Sequence, residues 1–169
     1  MSEPQSAAIA TIDPTPAVPM YDSIPALFGG APDAVEFTTF DLTKMEDSVG
    51  YLLSIGGESQ TAKQLVNETI EVCHYTVRLV TLTSAEDGEI ITTPRIVLVG
   101  PDGQCISSTS PSVIRMIAAV GRTAVGKPPW NPPMKFKLKI TQTANKRDCL
   151  QLIPILTVAL GNSAKQKRS

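Results

Sequence analysis

Three lysines alternate with apolar residues between Met134 and Ile140, in the sequence MKFKLKI. An alternation with period two is typical of a strand that buries one face, so Lys135, Lys137 and Lys139 are predicted to share the other face. Charges of one sign placed so close together repel, and the row therefore favours an anionic partner. The alternative is a solvated strand whose lysines prevent edge-to-edge pairing, and the lysines alone do not decide between these interpretations.

Other residues that could bind a polyanion are spread along the chain. A nucleic-acid single strand offers phosphates and unstacked bases, which proteins bind with cationic grooves and aromatic side chains. The further candidates are the cations Arg78, Arg95, Arg115, Lys146 and Arg147 and the ring-bearing residues His74, Tyr75 and Trp130. Tyr75 shares the parity of buried positions, and Trp130, which prolines flank, could instead plug the core. Lys146 and Arg147 could be solvated residues of a turn.

Catalytic and metal-binding residues are not expected. Cys73 and His74 are neighbours, but adjacent strand residues point to opposite faces and cannot form a nucleophile–base pair. The carboxylates lack the spacing of a pair that binds Mg²⁺ or runs acid–base chemistry, and no phosphate-binding glycine loop is present. Three isolated cysteines and one histidine support neither a zinc site nor a disulfide framework. We therefore expect a protein that is not an enzyme and holds no cofactor.

The net charge of −1 conceals a strong asymmetry. Residues 1–111 hold 4 Lys and Arg against 15 Asp and Glu, a balance of −11, whereas residues 112–169 hold 11 against one, a balance of +10. Clustered cations attract phosphates, membranes or acidic proteins. No apolar run reaches the roughly 18 residues of a membrane span, and no secretory signal is recognisable, so we expect a cytoplasmic protein.

The chain divides into four predicted segments. Residues 1–34 hold six prolines and are predicted to be a disordered arm, although its Tyr21, Ile24, Leu27 and Phe28 could dock on this domain or on a neighbouring copy. Residues 35–66 are predicted to form a small helical side element packed on the main domain, with apolar residues at helical spacing from Met45 to Leu53. Residues 67–158 form the main domain, and residues 159–169 a basic flexible tail.

Within the main domain the predicted elements follow the order β-β-β-α-β-β. The first three strands are separated by turns at 86–89 and at 100–103, where proline and glycine suit a tight turn. A helix then begins at Pro111, and two strands joined by a basic turn at 143–147 complete the domain. This is the order of the OB-fold, a five-stranded barrel that binds oligonucleotides, so we predict a mainly β (β+α) fold of that kind.

Two blocks of this sequence, PRIVLVGPDGQCISSTSPSVIRMIAAVG and GKPPWNPPMKFKLKITQT, resemble the small single-stranded DNA-binding proteins of bacteriophages and mobile elements, including protein-primed phages. The resemblance spans residues 40–155. It implies an OB-fold that coats single-stranded DNA cooperatively and without sequence specificity during DNA replication, in the host cytoplasm for a phage protein. The chain departs from the family at the basic hairpin, where Ala144, Asn145, Lys146 and Arg147 include no glycine.

Three functional hypotheses remain open at this stage. The first is the single-stranded DNA-binding protein, with replication proteins as further partners and self-association through the arm. The second is an RNA-binding OB module, which would use the same groove. The third is a structural or assembly protein with a β scaffold, which predicts little affinity for free oligonucleotides.

Overall fold

The computed structural model describes residues 27–28, 35–123 and 125–155. The predicted arm 1–34, apart from Leu27 and Phe28, and the predicted tail 159–169 lie outside the described residues. The helices are α1, Met45–Gly56, and α2, Pro111–Gly121, together with a short 3-10 helix at Ala62–Leu65. The strands are β1 Glu36–Thr38, β2 Gln60–Thr61, β3 Thr69–Val72, β4 His74–Thr83, β5 Ile90–Val99, β6 Cys105–Ser108, β7 Met134–Gln142 and β8 Asp148–Ile155.

The strands form two sheets rather than one closed barrel. One sheet has the order β1-β4-β5-β6-β2, with only the β2–β6 pair parallel, and the other is antiparallel with the order β3-β7-β8. The first strand predicted for the main domain, residues 69–83, is instead divided at Cys73, so that β3 pairs with β7 while β4 pairs with β5. The predicted mainly β class with added helices is confirmed, whereas closure into a barrel is absent from the described residues.

In the described residues no backbone ladder joins β6 to β8, and side-chain hydrogen bonds are found on this side of the fold. The free edge of β8 lies beside the start of α2, where the hydroxyl groups of Ser110 and Ser112 both donate to the carbonyl of Leu150. A backbone carbonyl at a strand edge must find a donor or remain in water. The serines thus link β8 to α2, and an open groove remains between β6 and β8.

The core lies between the sheets and is closed by α2. The apolar residues of α2 at helical spacing, Val113, Ile114 and Ile117, are fully buried, as the sequence predicts. Phe28 also belongs to this core, with its ring centroid 5.3 Å from that of Phe37. Of the two docking alternatives for Phe28, the structure contains the one within the same chain.

Helix α1 presents an unexpected face to solvent. Its apolar residues at helical spacing point outward, and Met45 is 80 % exposed, whereas Gly50 and Ser54 face the five-stranded sheet. A Cβ atom added at Gly50 would lie only 2.7 Å from the Phe40 ring, and the Ser54 hydroxyl donates to Thr76 across 3.1 Å. Close approach and a hydroxyl contact therefore orient α1. No helix among the described residues has the length and apolar character to cross a membrane.

Candidate nucleic-acid interface

The three lysines of β7 lie in a row on the outer face of the three-stranded sheet. Of the residues that alternate with them, Phe136 and Leu138 are fully buried and Met134 is partly buried, whereas Ile140 is 45 % exposed. The predicted division of this strand into two faces is therefore confirmed up to Leu138 and is wrong at Ile140. Lys137 stands between Thr69 of β3 and Ile153 of β8, and Lys139 stands opposite Gln151 of β8. We call this surface, with Lys135, Lys137 and Lys139 and their cross-strand neighbours, the lysine face.

The charges of the lysine face are only partly compensated. The ammonium of Lys135 lies 3.3 Å from the carboxylate of Glu71, its cross-strand partner. Within the described part of the chain, neither Lys137 nor Lys139 has a carboxylate oxygen within 4.0 Å. Alternate residues of one strand are about 6.7 Å apart, so the three ammonium groups extend over roughly 13 Å. The face is a linear array of cations suited to an extended polyanion.

The turn between β7 and β8 adds two exposed cations at one end of the same sheet. Its backbone is closed by bonds from the Thr143 amide to the Arg147 carbonyl, 2.9 Å, and from the Lys146 amide to the Thr143 carbonyl, 2.8 Å. Lys146 has φ of +57°, in the left-handed region that glycine occupies more readily. Lys146 therefore holds a backbone conformation that glycine would adopt at lower cost.

Two of the predicted arginines lie in the groove between β6 and β8. This groove has a volume of about 720 Å³ and is lined by Arg95 of β5, Arg115 of α2 and Lys63 of the 3-10 helix. Six residues with hydroxyl groups also line it: Thr61, Ser107, Ser108, Thr109, Ser110 and Ser112. We call this site the hydroxyl groove. Five of these six residues belong to the run SSTSPS, which in the sequence indicates only the start of a helix.

Arg78 and His74 lie on the outer face of the five-stranded sheet, away from the lysine face. Arg78 stands between Glu36 of β1 and Arg95 of β5 in the sheet register. The His74 ring is stacked on Phe40 with a centroid distance of 4.2 Å, and burial lowers its pKa from the ordinary value. One face of the imidazole is thus covered, so a base cannot stack there in this conformation.

The aromatic candidates for base stacking are buried. Trp130 is 5 % exposed, its ring lies 6.1 Å from those of Tyr75 and Phe136, and its indole N–H donates to the Gly126 carbonyl across 3.0 Å. Tyr75 is buried as well, and this burial raises its pKa to about 12. The structure favours the interpretation that Trp130 plugs the core, and we leave Trp130 and Tyr75 out of the candidate interface.

The arrangement around Cys73 offers no nucleophile. Burial raises the pKa of the Cys73 thiol, with the carboxylates of Glu71 and Asp102 adding to the effect, so the protonated form is favoured. A thiol attacks only as the thiolate. In the residues that the structure describes, no three side chains of His, Cys, Asp or Glu gather in a way that could hold a metal ion.

The predicted site residues therefore fall into three groups. Lys135, Lys137 and Lys139 share one sheet face, which ends near Lys146 and Arg147, while Arg95 and Arg115 line the hydroxyl groove. The remaining candidates, His74, Arg78 and Trp130, belong to neither surface. No protein-family model, curated protein or solved structure was found to match this chain.

Proposed function

We propose that this protein binds single-stranded DNA without sequence specificity and coats it during replication of a phage or mobile element. The observation that carries the proposal is the lysine face, in which Lys137 and Lys139 have no carboxylate partner among the described residues. A row of uncompensated charges is costly in a free protein and is offset when phosphates bind and counterions are released.

The lack of base-reading groups on this face supports binding without sequence specificity. Contacts to phosphates position a protein on a strand but carry no sequence information. The exposed groups beside the lysines are Thr69, Gln151 and Ile153, and no aromatic ring of the described residues lies among them. We expect charge rather than stacking to dominate the affinity, with a steep dependence on salt.

The strand pairing is consistent with an OB-fold whose barrel is open on one side. If β3 and β4 are taken as one bent strand, it pairs with β5 and β7, and the pairs β5–β6 and β7–β8 complete a five-stranded arrangement. OB-folds are partly open Greek-key barrels that bind oligonucleotides. The gap between β6 and β8 would be the opening. Fold analogy adds support but does not by itself assign the function.

The backbone conformation of Lys146 also supports the proposal. A non-glycine residue in the left-handed region costs roughly 1–2 kcal/mol, and such local costs are found most often at functional sites. The chain accepts this cost at a hairpin tip that carries the exposed cations Lys146 and Arg147. A contact between these cations and the backbone of a bound strand explains why a lysine rather than a glycine occupies this position.

Melting of a fluorescently labelled DNA hairpin tests the proposal. A protein that binds the single strand and not the duplex lowers the melting temperature of the hairpin, because it stabilises only the open form. We expect this decrease to grow with protein concentration and to fade with added salt. An increase in the melting temperature would indicate duplex binding and would contradict the proposal, as would no change at low salt.

A second candidate function, an assembly protein with a β scaffold, is favoured by the outer face of α1. Four aliphatic side chains of this helix point into solvent: Met45, Val49, Leu52 and Leu53. Exposed apolar patches of this kind occur at protein–protein contacts. This alternative predicts concentration-dependent self-association, lost in Leu52→Lys, with no measurable affinity for oligonucleotides.

RNA binding uses the same phosphate contacts, and the relative affinity for RNA is an outcome of the binding measurement below.

A further inference from the structure

The hydroxyl groove has the size and the lining of a site for a nucleotide backbone. Its volume of about 720 Å³ lies within the range of roughly 300–1,000 Å³ found for small-molecule sites. It is formed by segments far apart in the sequence: the 3-10 helix, the end of β4, the middle of β5, the end of β6, the start of α2 and the start of β8. Such a groove exists only in the folded domain.

The charges of the groove favour an anion. Lys63, Arg95 and Arg115 come from three different elements and line one wall each, and the single carboxylate of the lining is that of Asp148. No ion pair within 4.0 Å involves any of these three cations in the described part of the chain. Arg95 is instead held by a bond of 2.8 Å from its guanidinium to the Ser59 hydroxyl. The guanidinium groups remain available for the bidentate contacts that they form with phosphate.

The rest of the lining favours a sugar–phosphate backbone over a base. The hydroxyl groups of Thr61, Ser108 and Thr109 can donate to phosphate oxygens, whereas those of Ser110 and Ser112 already donate to the Leu150 carbonyl. No aromatic side chain lines the groove, and its larger apolar residues are Leu82 and Leu150. A base would find no ring on which to stack, whereas a phosphodiester would find cations and donors together.

The groove is continuous with the lysine face across one edge strand. Cys149 lines the groove and pairs with Thr141, on the same side of the sheet as Gln151, which stands opposite Lys139. Neighbouring strands of a sheet are about 4.8 Å apart, so a bound strand crosses from Lys139 to the groove by passing over β8 alone.

We propose that the hydroxyl groove is a second backbone-binding site, which takes the sugar–phosphate chain of the same single strand after it leaves the lysine face. This inference rests on the proposed function, because it assigns a path to the strand whose binding is proposed above. The strand then contacts both sheets of the domain and bridges the gap where the barrel is open.

Cys149 provides a direct reporter of occupancy in the unmodified groove. It is partly exposed, while Cys105 is buried and Cys73 lies outside the groove. In a Cys73→Ser background we expect saturating oligo(dT) to slow the alkylation of Cys149 by a maleimide several-fold, because the bound backbone covers it. Alkylation at the same rate with and without bound oligo(dT) would overturn the groove site.

Charge removal gives the second measurement, with a control just beyond the same helix. Arg115→Ala should lower the salt slope of oligo(dT) binding by about 0.7 and the affinity about fivefold at roughly 0.1 M salt, because one phosphate contact is lost. Arg122→Ala, at an exposed residue directly after the end of α2 and outside the groove, should leave both unchanged. If the unaltered protein binds oligo(dT) while Arg115→Ala matches Arg122→Ala, the groove is refuted and the proposed function stands. If the unaltered protein binds no oligo(dT), both are refuted.

Discussion

Removal of the two uncompensated lysines is the perturbation whose effect the structure defines best. In the double variant Lys137→Ala and Lys139→Ala, two ammonium groups without a carboxylate partner in the described residues are lost, while the buried Phe136 and Leu138 are unchanged. Each phosphate neutralised on a single strand contributes about 0.7 to the slope of log affinity against log salt, so the slope should fall by about 1.4. At roughly 0.1 M salt this corresponds to an affinity loss of about 25-fold.

The assay is fluorescence anisotropy of a labelled oligo(dT) titrated at several salt concentrations. The double variant Lys137→Arg and Lys139→Arg keeps both charges and should keep the slope, and thermal unfolding should show that both variants fold like the unaltered protein. A second control is Lys44→Ala, because Lys44 lies at the start of α1 beside Asp41. An unchanged slope in the alanine variant, or an equal loss in Lys44→Ala, would refute the assignment of the lysine face.

Four further predictions concern two residues of the sheet that carries the lysine face and two residues of the core. Glu71→Gln should strengthen oligo(dT) binding by up to about fivefold at roughly 0.1 M salt, because it frees the Lys135 ammonium; weaker binding in the anisotropy titration would contradict this. Lys146→Gly should raise the free energy of unfolding by up to about 1 kcal/mol, because glycine tolerates the positive φ, yet weaken binding about fivefold. Denaturant unfolding and the same titration measure the two effects. An increase in both the free energy of unfolding and the affinity would argue against a binding role. Trp130→Ala should lower the free energy of unfolding by about 3–5 kcal/mol, since the ring is buried, whereas a small loss on urea unfolding would indicate a peripheral ring. Because burial raises the pKa of Tyr75 from 10.0 to about 12, the folded state keeps a proton that the unfolded chain releases. Stability should be fully present below pH 10 and fall as the pH rises toward 12, and Tyr75→Phe should remove this part of the dependence measured by chemical unfolding.

The elements that the sequence predicts best are those with an unbroken pattern. The alternation in β7 and the apolar spacing in α2 each match one periodicity over several residues, and both are present where expected. Pro94 lies in the part of β5 that extends beyond the end of β6, so the N–H group that proline lacks would have had no strand partner there. The local sequence is sufficient to predict the structure at these positions, because contacts with one neighbouring strand or with the core determine it.

The orientation of α1 could not be predicted from spacing. A helical period identifies an apolar stripe but does not specify what covers it, and here Gly50 and Ser54 make the contacts with the sheet. The absence of a side chain at Gly50 lets the helix approach Phe40, which a residue-by-residue hydrophobicity pattern cannot express. The outward stripe containing Met45 is the result.

The bend at Cys73 and the hydroxyl groove depend on contacts between distant parts of the chain. The Cys73 amide donates to Val99 of one sheet, and its carbonyl accepts from Trp130, which precedes the other sheet, so long-range bonds turn the strand at this residue. The groove likewise joins segments that are more than 80 residues apart, from Lys63 to Cys149. The cations Arg95 and Arg115 were identifiable as candidates from the sequence, but their convergence was not.

The proposed function requires the protein to bind a single strand in preference to a duplex, through contacts to its phosphates. An anisotropy titration of the unaltered protein with oligo(dT), oligo(U) and a duplex of equal length, repeated at rising salt, measures this preference. We expect tight binding of oligo(dT), weak binding of the duplex and a steep decrease of affinity with salt. Equal or tighter binding of oligo(U) would identify RNA as the ligand instead. The absence of binding to any of the three at low salt would refute the proposed function and favour the assembly role.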